Sequence, residues 1–186
     1  MPKKRGHMWE ILSSKYLVND RWLTLRADDC RTSNGQIVAP YYVLEYPPWV
    51  SVLVLTPDKN VVLIKQYRHG IRQTILELPG GALDERDLST LEAAQRELRE
   101  ETGYVAEEWR ETGTICASPH NHTNSIHFFL ACRARYNREP QREASEQIEV
   151  LLMPLDELLE RAYQGELKHS HHVSCLFFAL RALGKA

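Results

Sequence analysis

The sequence contains no apolar run long enough to cross a bilayer: its most apolar stretch, residues 49–55, stops at Pro57-Asp58-Lys59-Asn60, far short of the roughly 20 residues a spanning helix needs. No membrane partner is expected. Charge of one sign is equally lacking, since 23 Lys and Arg face 25 Asp and Glu for a formal net charge of −2. That balance gives no sign of a basic nucleic-acid surface or of a strongly acidic tail. Cysteine is scarce, and Cys30, Cys116, Cys132 and Cys175 are scattered without C-x-x-C spacing. Neither a zinc module nor a disulfide framework is implied, and a reducing cytoplasm is the default. Lys3-Lys4-Arg5 leads into His7-Met8-Trp9-Glu10 and not into an apolar segment, so no secretory signal is expected. Repeats and low-complexity tracts are absent too. What remains is a chain of 186 residues, 43% hydrophobic and 26% charged, which matches a soluble folded protein with a full core.

Residues 22–28 alternate apolar and polar side chains, residues 41–46 are β-rich, and Asn34-Gly35 supplies a turn between them, which predicts an N-terminal antiparallel unit over residues 1–46. Residues 50–55 and 61–67 are expected to pair as a hairpin around residues 57–60. A short strand over 74–78 is then broken by Pro79-Gly80-Gly81. Ser89-Thr90-Leu91-Glu92 has capping-box spacing, Leu91, Ala94 and Leu98 form an apolar stripe, and Gly103 supplies a stop, so a helix follows. Strands return at 112–117 and 126–133, joined by a hydrogen-bonding loop over 118–125 that is expected to face a ligand. A polar segment, 137–147, leads to a strand at 148–153 and a helix over about 155–163. In a last amphipathic helix Val173, Leu176, Phe177, Leu180 and Leu183 are expected to point inward. Strands and helices mix without a βαβ rhythm, so the expected fold class is α/β: an α/β/α sandwich with a mixed sheet over residues 47–186.

Glu97, Glu100 and Glu101 stand at i, i+3 and i+4, so their carboxylates share one helix face, rotated from the apolar stripe. They lie in the C-terminal half, where the macrodipole disfavours negative charge and like charges repel by a few tenths of a kcal/mol. Stability alone would not select that arrangement, although a solvated acidic face neutralised by Arg96 and Arg99 would tolerate it. Clustered hard oxygen donors suit Mg²⁺ or Mn²⁺, and Mg²⁺ usually completes its shell with water and phosphate oxygens.

The run Arg96-Glu97-Leu98-Arg99-Glu100-Glu101-Thr102-Gly103-Tyr104, preceded by Gly81, resembles the Nudix box, G-x5-E-x7-R-E-U-x-E-E-x-G-U with U apolar. The interval from Gly81 to Arg96 is one residue longer than the pattern, and Asp87 holds the place of the first glutamate. Either Glu85 or Asp87 could therefore be the acid that partners Arg96. Gln66-Tyr67-Arg68, Glu77-Leu78-Pro79-Gly80-Gly81, and Pro119 fifteen residues after Tyr104 are similar to the ADP-ribose pyrophosphatase branch, as are residues 126–131 and 146–150.

The resemblance implies a Nudix-type sandwich cleaving the diphosphate linkage of a nucleoside diphosphate derivative, with ADP-ribose giving AMP and ribose 5-phosphate as the leading case. GDP-mannose or another nucleotide sugar is the alternative substrate, and a non-catalytic, nucleotide-binding regulatory domain is the alternative role. By the family pattern Glu97, Glu100, Glu101 and the Gly80 carbonyl hold Mg²⁺, or Mn²⁺, and Glu97 and Glu101 are the first catalytic candidates. Glu146 is the expected general base, with Glu143 second. Arg68 is a candidate phosphate clamp, since a guanidinium fork matches phosphate oxygens. Glu77 could bind substrate or serve as a structural partner for an arginine, and Pro119 and Asn124 fall on the expected substrate loop. Relatives exchange N-terminal strands in homodimers, and residues 9–46 are long enough to do so.

Other residues invite weaker readings. Trp22, Tyr41, Tyr42 or Trp49 could stack a nucleobase, but core packing or a dimer contact suits each better. His120, His122 and His127, and His169, His171 and His172, lack the spacing of a zinc module and a neighbouring cysteine or acidic ligand. They are expected to be structural, although the loop position of His120, Asn121, His122 and Asn124 suits hydrogen bonding to a substrate.

Overall fold

The computed structural model describes residues 8–140 and 147–185. The strands are β1 Glu10–Asn19, β2 Thr24–Arg31, β3 Ile37–Glu45, β4 Trp49–Val54, β5 Asn60–Arg68, β6 Gln73–Glu77, β7 Gly80–Ala82, β8 Tyr104–Val105, β9 Glu108–Cys116, β10 Ser125–Cys132, β11 Arg135–Tyr136 and β12 Ile148–Pro154. The helices are α1 Thr90–Thr102, α2 Leu155–Tyr163 and α3 Ser170–Ala182. Two compact units result: the described residues up to Tyr46 with Cys116–Asn124, and the described remainder.

In the first unit β1, β2 and β3 form an antiparallel sheet in that order. The expected Asn34-Gly35 turn joins β2 to β3: Gly35 is left-handed at φ 89°, and its N–H donates to the Thr32 carbonyl at 2.9 Å. Strand β1 was not anticipated. Its side chains are almost all exposed, so it lacks the alternation that marks a half-buried strand. Backbone pairing to β2 and polar cross-strand contacts hold it, Ser13 donating to Asp29 at 2.8 Å and Ser14 to the buried Asp28 at 2.6 Å. The loop after β9 joins this unit through Leu44, whose N–H donates to Asn121 at 2.7 Å and whose carbonyl accepts from Thr123 at 3.1 Å.

The second unit contains a four-stranded sheet in the order β7-β4-β10-β9, a three-stranded sheet β12-β5-β6 and the pair β8-β11. Strand β4 pairs with β10 in parallel, while β7 pairs with β4 and both neighbours of β5 pair with it in antiparallel fashion. The expected β4–β5 hairpin is corrected here. After one bridge, Leu55 to Val61, the two strands enter different sheets. The reason lies in burial: nearly every residue from Val50 to Leu55 and from Val61 to Ile64 is inaccessible, and strands covered on both faces belong at the centres of packed layers, not in a half-solvated hairpin. The expected break at Pro79-Gly80-Gly81 is present, and β6 ends at Glu77. The break carries the chain from the sheet of β6 into β7, beside β4.

Helix α1 packs on β4 and β7, with Ala93, Ala94 and Leu98 against Val50, Val52, Val54, Phe129 and Ala131. Helix α3 meets the other face of β4 and β10, where the Cys175 thiol approaches the Ser51 carbonyl at 3.4 Å and Phe178 stacks on Phe128 at 5.5 Å. Because side chains alternate along a strand, this is a helix–sheet–helix arrangement in which burying Leu98 or Leu176 contributes about 2 kcal/mol each. Two sequence expectations need rotation. Leu91 is exposed at the start of α1, and in α3 the buried stripe is His172, Cys175, Leu176 and Ala179, leaving Val173 and Phe177 exposed.

Ser89 caps α1, accepting from the Glu92 N–H at 3.2 Å, while Glu92 accepts from the Leu88 N–H at 2.9 Å. The helix stops at Gly103, left-handed at φ 76°, where an added Cβ would lie 2.1 Å from the Arg138 carbonyl. Gly165 has a similar φ, 79°, but open space around it. Gly103→Ala should therefore cost about 3 kcal/mol in urea denaturation and Gly165→Ala about 1 kcal/mol. Equal losses would show that backbone handedness alone, and not the contact with Arg138, sets the requirement for glycine.

Candidate active site

The site forms where α1 crosses the Gly80-Gly81 strand. The Gly80 N–H donates to the Glu101 carboxylate at 3.0 Å, and Glu101 is only 4% exposed although it carries a carboxylate on a helix. Gly81 lies beneath Glu97: a Cβ at residue 81 would fall 2.4 Å from its Oε1. At Gly80 a Cβ would fall 2.2 Å from the Val50 carbonyl. Gly80 thus lets β7 lie close against β4, and Gly81 lets it run directly under the Glu97 carboxylate.

Arg96 organises the acidic face. Its Nε and Nη2 donate to Asp87 at 3.0 and 2.8 Å, its Nη2 also to the Ala82 carbonyl at 3.0 Å, and its Nη1 to Glu97 at 2.9 Å and Glu100 at 3.1 Å. Asp87, not Glu85, is therefore the acid that partners Arg96. The Arg96 hydrogen bonds hold the Asp87 carboxyl below its ordinary range against a burial effect of opposite sign, and Asp87 is the largest cause raising the pKa of Arg96.

A cavity of about 330 Å³ opens over Glu97, Glu101 and Gly80 to Ala82. Its remaining wall is Trp49, Val50, Gln66, Arg68 and the three histidines His169, His171 and His172. Arg68 is anchored by Glu77, which is fully buried and accepts from Nε at 3.0 Å and from Nη2 at 2.8 Å. Burial pushes the Glu77 carboxyl up and Arg68 draws it down. Of the two roles open for Glu77, the geometry realises the arginine partner.

The histidines, expected to be structural, divide between two tasks. His172 is buried, and its Nδ1 accepts from the Leu78 N–H at 3.2 Å, which fixes the turn leading to Gly80. His169 and His171 are half-buried in the cavity wall. Burial, then the neighbouring charges, lowers all three, His171 to about 3. Near pH 7 they are neutral. His172 could have been found by its spacing, since it shares the period of Cys175, Leu176 and Ala179.

The donor set fits a hard divalent cation in kind: the carboxylates of Glu97 and Glu101 line the cavity beside the Gly80-Gly81 backbone. Glu100 does not line it, being turned to Arg96 and about one-third exposed. Among the described residues no three His, Cys, Asp or Glu side chains are drawn together tightly enough to hold an ion. Pro119 and Asn124 belong to the first unit, where Asn124 is buried and its carbonyl accepts from the Ala117 N–H at 3.1 Å. Glu143 and Glu146 lie outside the described residues.

The NUDIX domain matches residues 45–173, more than half of the chain. The chain belongs to the Nudix hydrolase family. A nucleoside diphosphate sugar hydrolase N-terminal domain matches residues 9–44. Similar Nudix proteins include an ADP-ribose pyrophosphatase of Mycobacterium tuberculosis, 30% identical over 88% of this chain and 79% of that one. A GDP-mannose pyrophosphatase of Salmonella arizonae is 30% identical over 86% and 89%. The crystal structure of an ADP compounds hydrolase superposes with a TM-score of 0.81 at 22% identity, covering 96% and 97% of the two chains, a likeness of fold. Nudix hydrolases generally use divalent metal ions. No helix among the described residues is long and apolar enough to cross a membrane.

The Asp87–Arg96 pair predicts a pH-dependent phenotype. The folded carboxyl titrates below its ordinary 3.8, so its stabilisation is complete above that pH and is lost as pH falls through the folded value. Asp87→Asn should cost about 3 kcal/mol at pH 7, and the gap to wild type should narrow below pH 3.8 in denaturant titrations. A gap constant with pH would exclude the ion pair as its source.

Proposed function

We propose that this Nudix hydrolase cleaves the diphosphate linkage of a nucleoside diphosphate sugar, ADP-ribose first, to AMP and ribose 5-phosphate. The observation that carries the proposal is the presence of Glu97, Glu101 and Arg68 in one cavity. Carboxylates there suit a cation, and a guanidinium suits the phosphates that the cation must also meet. Glu97, Glu100, Glu101 and the Gly80 carbonyl would hold Mg²⁺, or Mn²⁺, with Glu100 turning from Arg96 to join them. When bound, the metal would neutralise diphosphate charge and acidify a water. Arg68, held in place by Glu77, orients the phosphates, and Glu146, or Glu143, takes the proton of the attacking water.

GDP-mannose is the second substrate, favoured by the similarity to a GDP-mannose pyrophosphatase. The regulatory reading is weaker because all three helix carboxylates are in place. A homodimer through the first unit fits the exposure of Ile11, Tyr16, Leu17, Trp22, Ile37 and Tyr42 there, more apolar surface than an isolated sheet usually leaves to water. The four free cysteines suit a reducing cytoplasm.

The test is incubation with Mg²⁺ and ADP-ribose, ADP-glucose, GDP-mannose, UDP-glucose, NADH and dinucleoside polyphosphates in ¹⁸O-labelled water, followed by mass spectrometry. ADP-ribose should give AMP and ribose 5-phosphate, one of them carrying ¹⁸O, and Glu97→Gln should lower kcat at least about a hundredfold. Binding of ADP-ribose without metal-dependent cleavage of any panel member would favour the regulatory role instead.

A further inference from the structure

One wall of the cavity carries side chains that, Arg68 apart, have no part in diphosphate cleavage. Trp49 on β4, Gln66 and Arg68 on β5, and His169 and His171 at the start of α3 all line it. The His171 ring centroid lies 5.9 Å from that of Trp49 and 3.6 Å from that of His169. His172 is committed to the Leu78 N–H, so His169 and His171 are the imidazoles that a ligand would meet. Arg68 enters the wall ion-paired to Glu77 through Nε and Nη2.

Burial, with Arg68 and the neighbouring ring adding to it for His171, keeps both imidazoles neutral near pH 7. A neutral imidazole has one N–H donor and one acceptor nitrogen, and the Gln66 amide has the same dual character. Phosphate oxygens are best met by cationic donors, which among the described residues of this wall means Arg68. A sugar hydroxyl donates and accepts at once, and so matches two imidazoles and an amide. The Trp49 ring adds a flat apolar surface of the kind against which the C–H face of a sugar packs.

We infer that this wall is the subsite for the phosphorylated sugar half of the substrate, with His169 and His171 reading its hydroxyls and Arg68 holding its phosphate. The inference rests on the nucleoside diphosphate sugar reading and narrows it. Specificity then comes from neutral hydrogen-bonding groups on one wall, while the carboxylates opposite in charge handle the bond that breaks.

The experiment uses the intact chain labelled with ¹⁵N-histidine, titrated without metal with ribose 5-phosphate, mannose 1-phosphate and inorganic phosphate while the imidazole resonances are followed. The His169 and His171 signals, assigned from single variants, should shift with at least one sugar phosphate and far less with inorganic phosphate. The double variant His169→Phe/His171→Phe should raise the Kd for that sugar phosphate about tenfold, and that for inorganic phosphate less than about twofold. Equal shifts with inorganic phosphate, or sugar phosphate binding unmoved by the double variant, would overturn the subsite. Failure of the hydrolysis panel with these shifts intact would count against the reaction alone; hydrolysis without them would count against the subsite alone.

Discussion

The close approach of the β7 backbone to the carboxylates of α1 is the constraint on which the rest depends. Glu101 is almost inaccessible, and a buried carboxylate is costly unless something polar meets it. The Gly80 N–H does so, and Gly81 leaves room for Glu97 above it. A side chain on Gly80 would collide with the β4 backbone at Val50, and one on Gly81 with Glu97 of α1. The Leu78-Pro79 connection therefore has to be placed accurately, and three contacts place it: Leu78 donates to His172, Pro79 accepts from Val52 at 2.9 Å, and β7 pairs with β4.

Two arginine–carboxylate pairs complete the electrostatics, each with a different consequence. Asp87 takes two donors of Arg96, and the remaining Arg96 contacts draw Glu97 and Glu100 to the same side of the helix. Without a cation, Arg96 is what offsets their mutual repulsion. Glu77 takes Arg68 at the cavity wall and leaves it a fixed, partly compensated cation. Breaking either pair would strand a poorly solvated charge, which costs more than the pair contributes. The carboxylate cluster and Arg68 are thus stabilised separately.

Much of this was legible in the sequence because it is local. The capped helix, its glycine stop, the carboxylate spacing and the Gly-rich approach are fixed by residues a few positions apart. What was not legible depends on partners distant in sequence. The β4–β5 hairpin failed because two neighbouring apolar runs each found a different sheet. Strand β1 was missed because its exposed side chains carry no period, and α3 was rotated because a histidine was not counted as a core residue. His172 earns that position only through Leu78, 94 residues earlier. Sequence spacing does not distinguish Glu85 from Asp87 as the partner of Arg96; the loop before α1 does, by bringing Asp87 to the guanidinium.

The central claim is that Glu97 and Glu101 present a divalent-cation site to the cavity, and Mn²⁺ binding measured by electron paramagnetic resonance tests it most directly. Wild-type protein should deplete the free Mn²⁺ signal saturably and in competition with Mg²⁺, and Glu97→Gln/Glu101→Gln should abolish that depletion while the protein stays folded. Undiminished Mn²⁺ binding by the folded double variant, or no binding by wild type, would contradict the account.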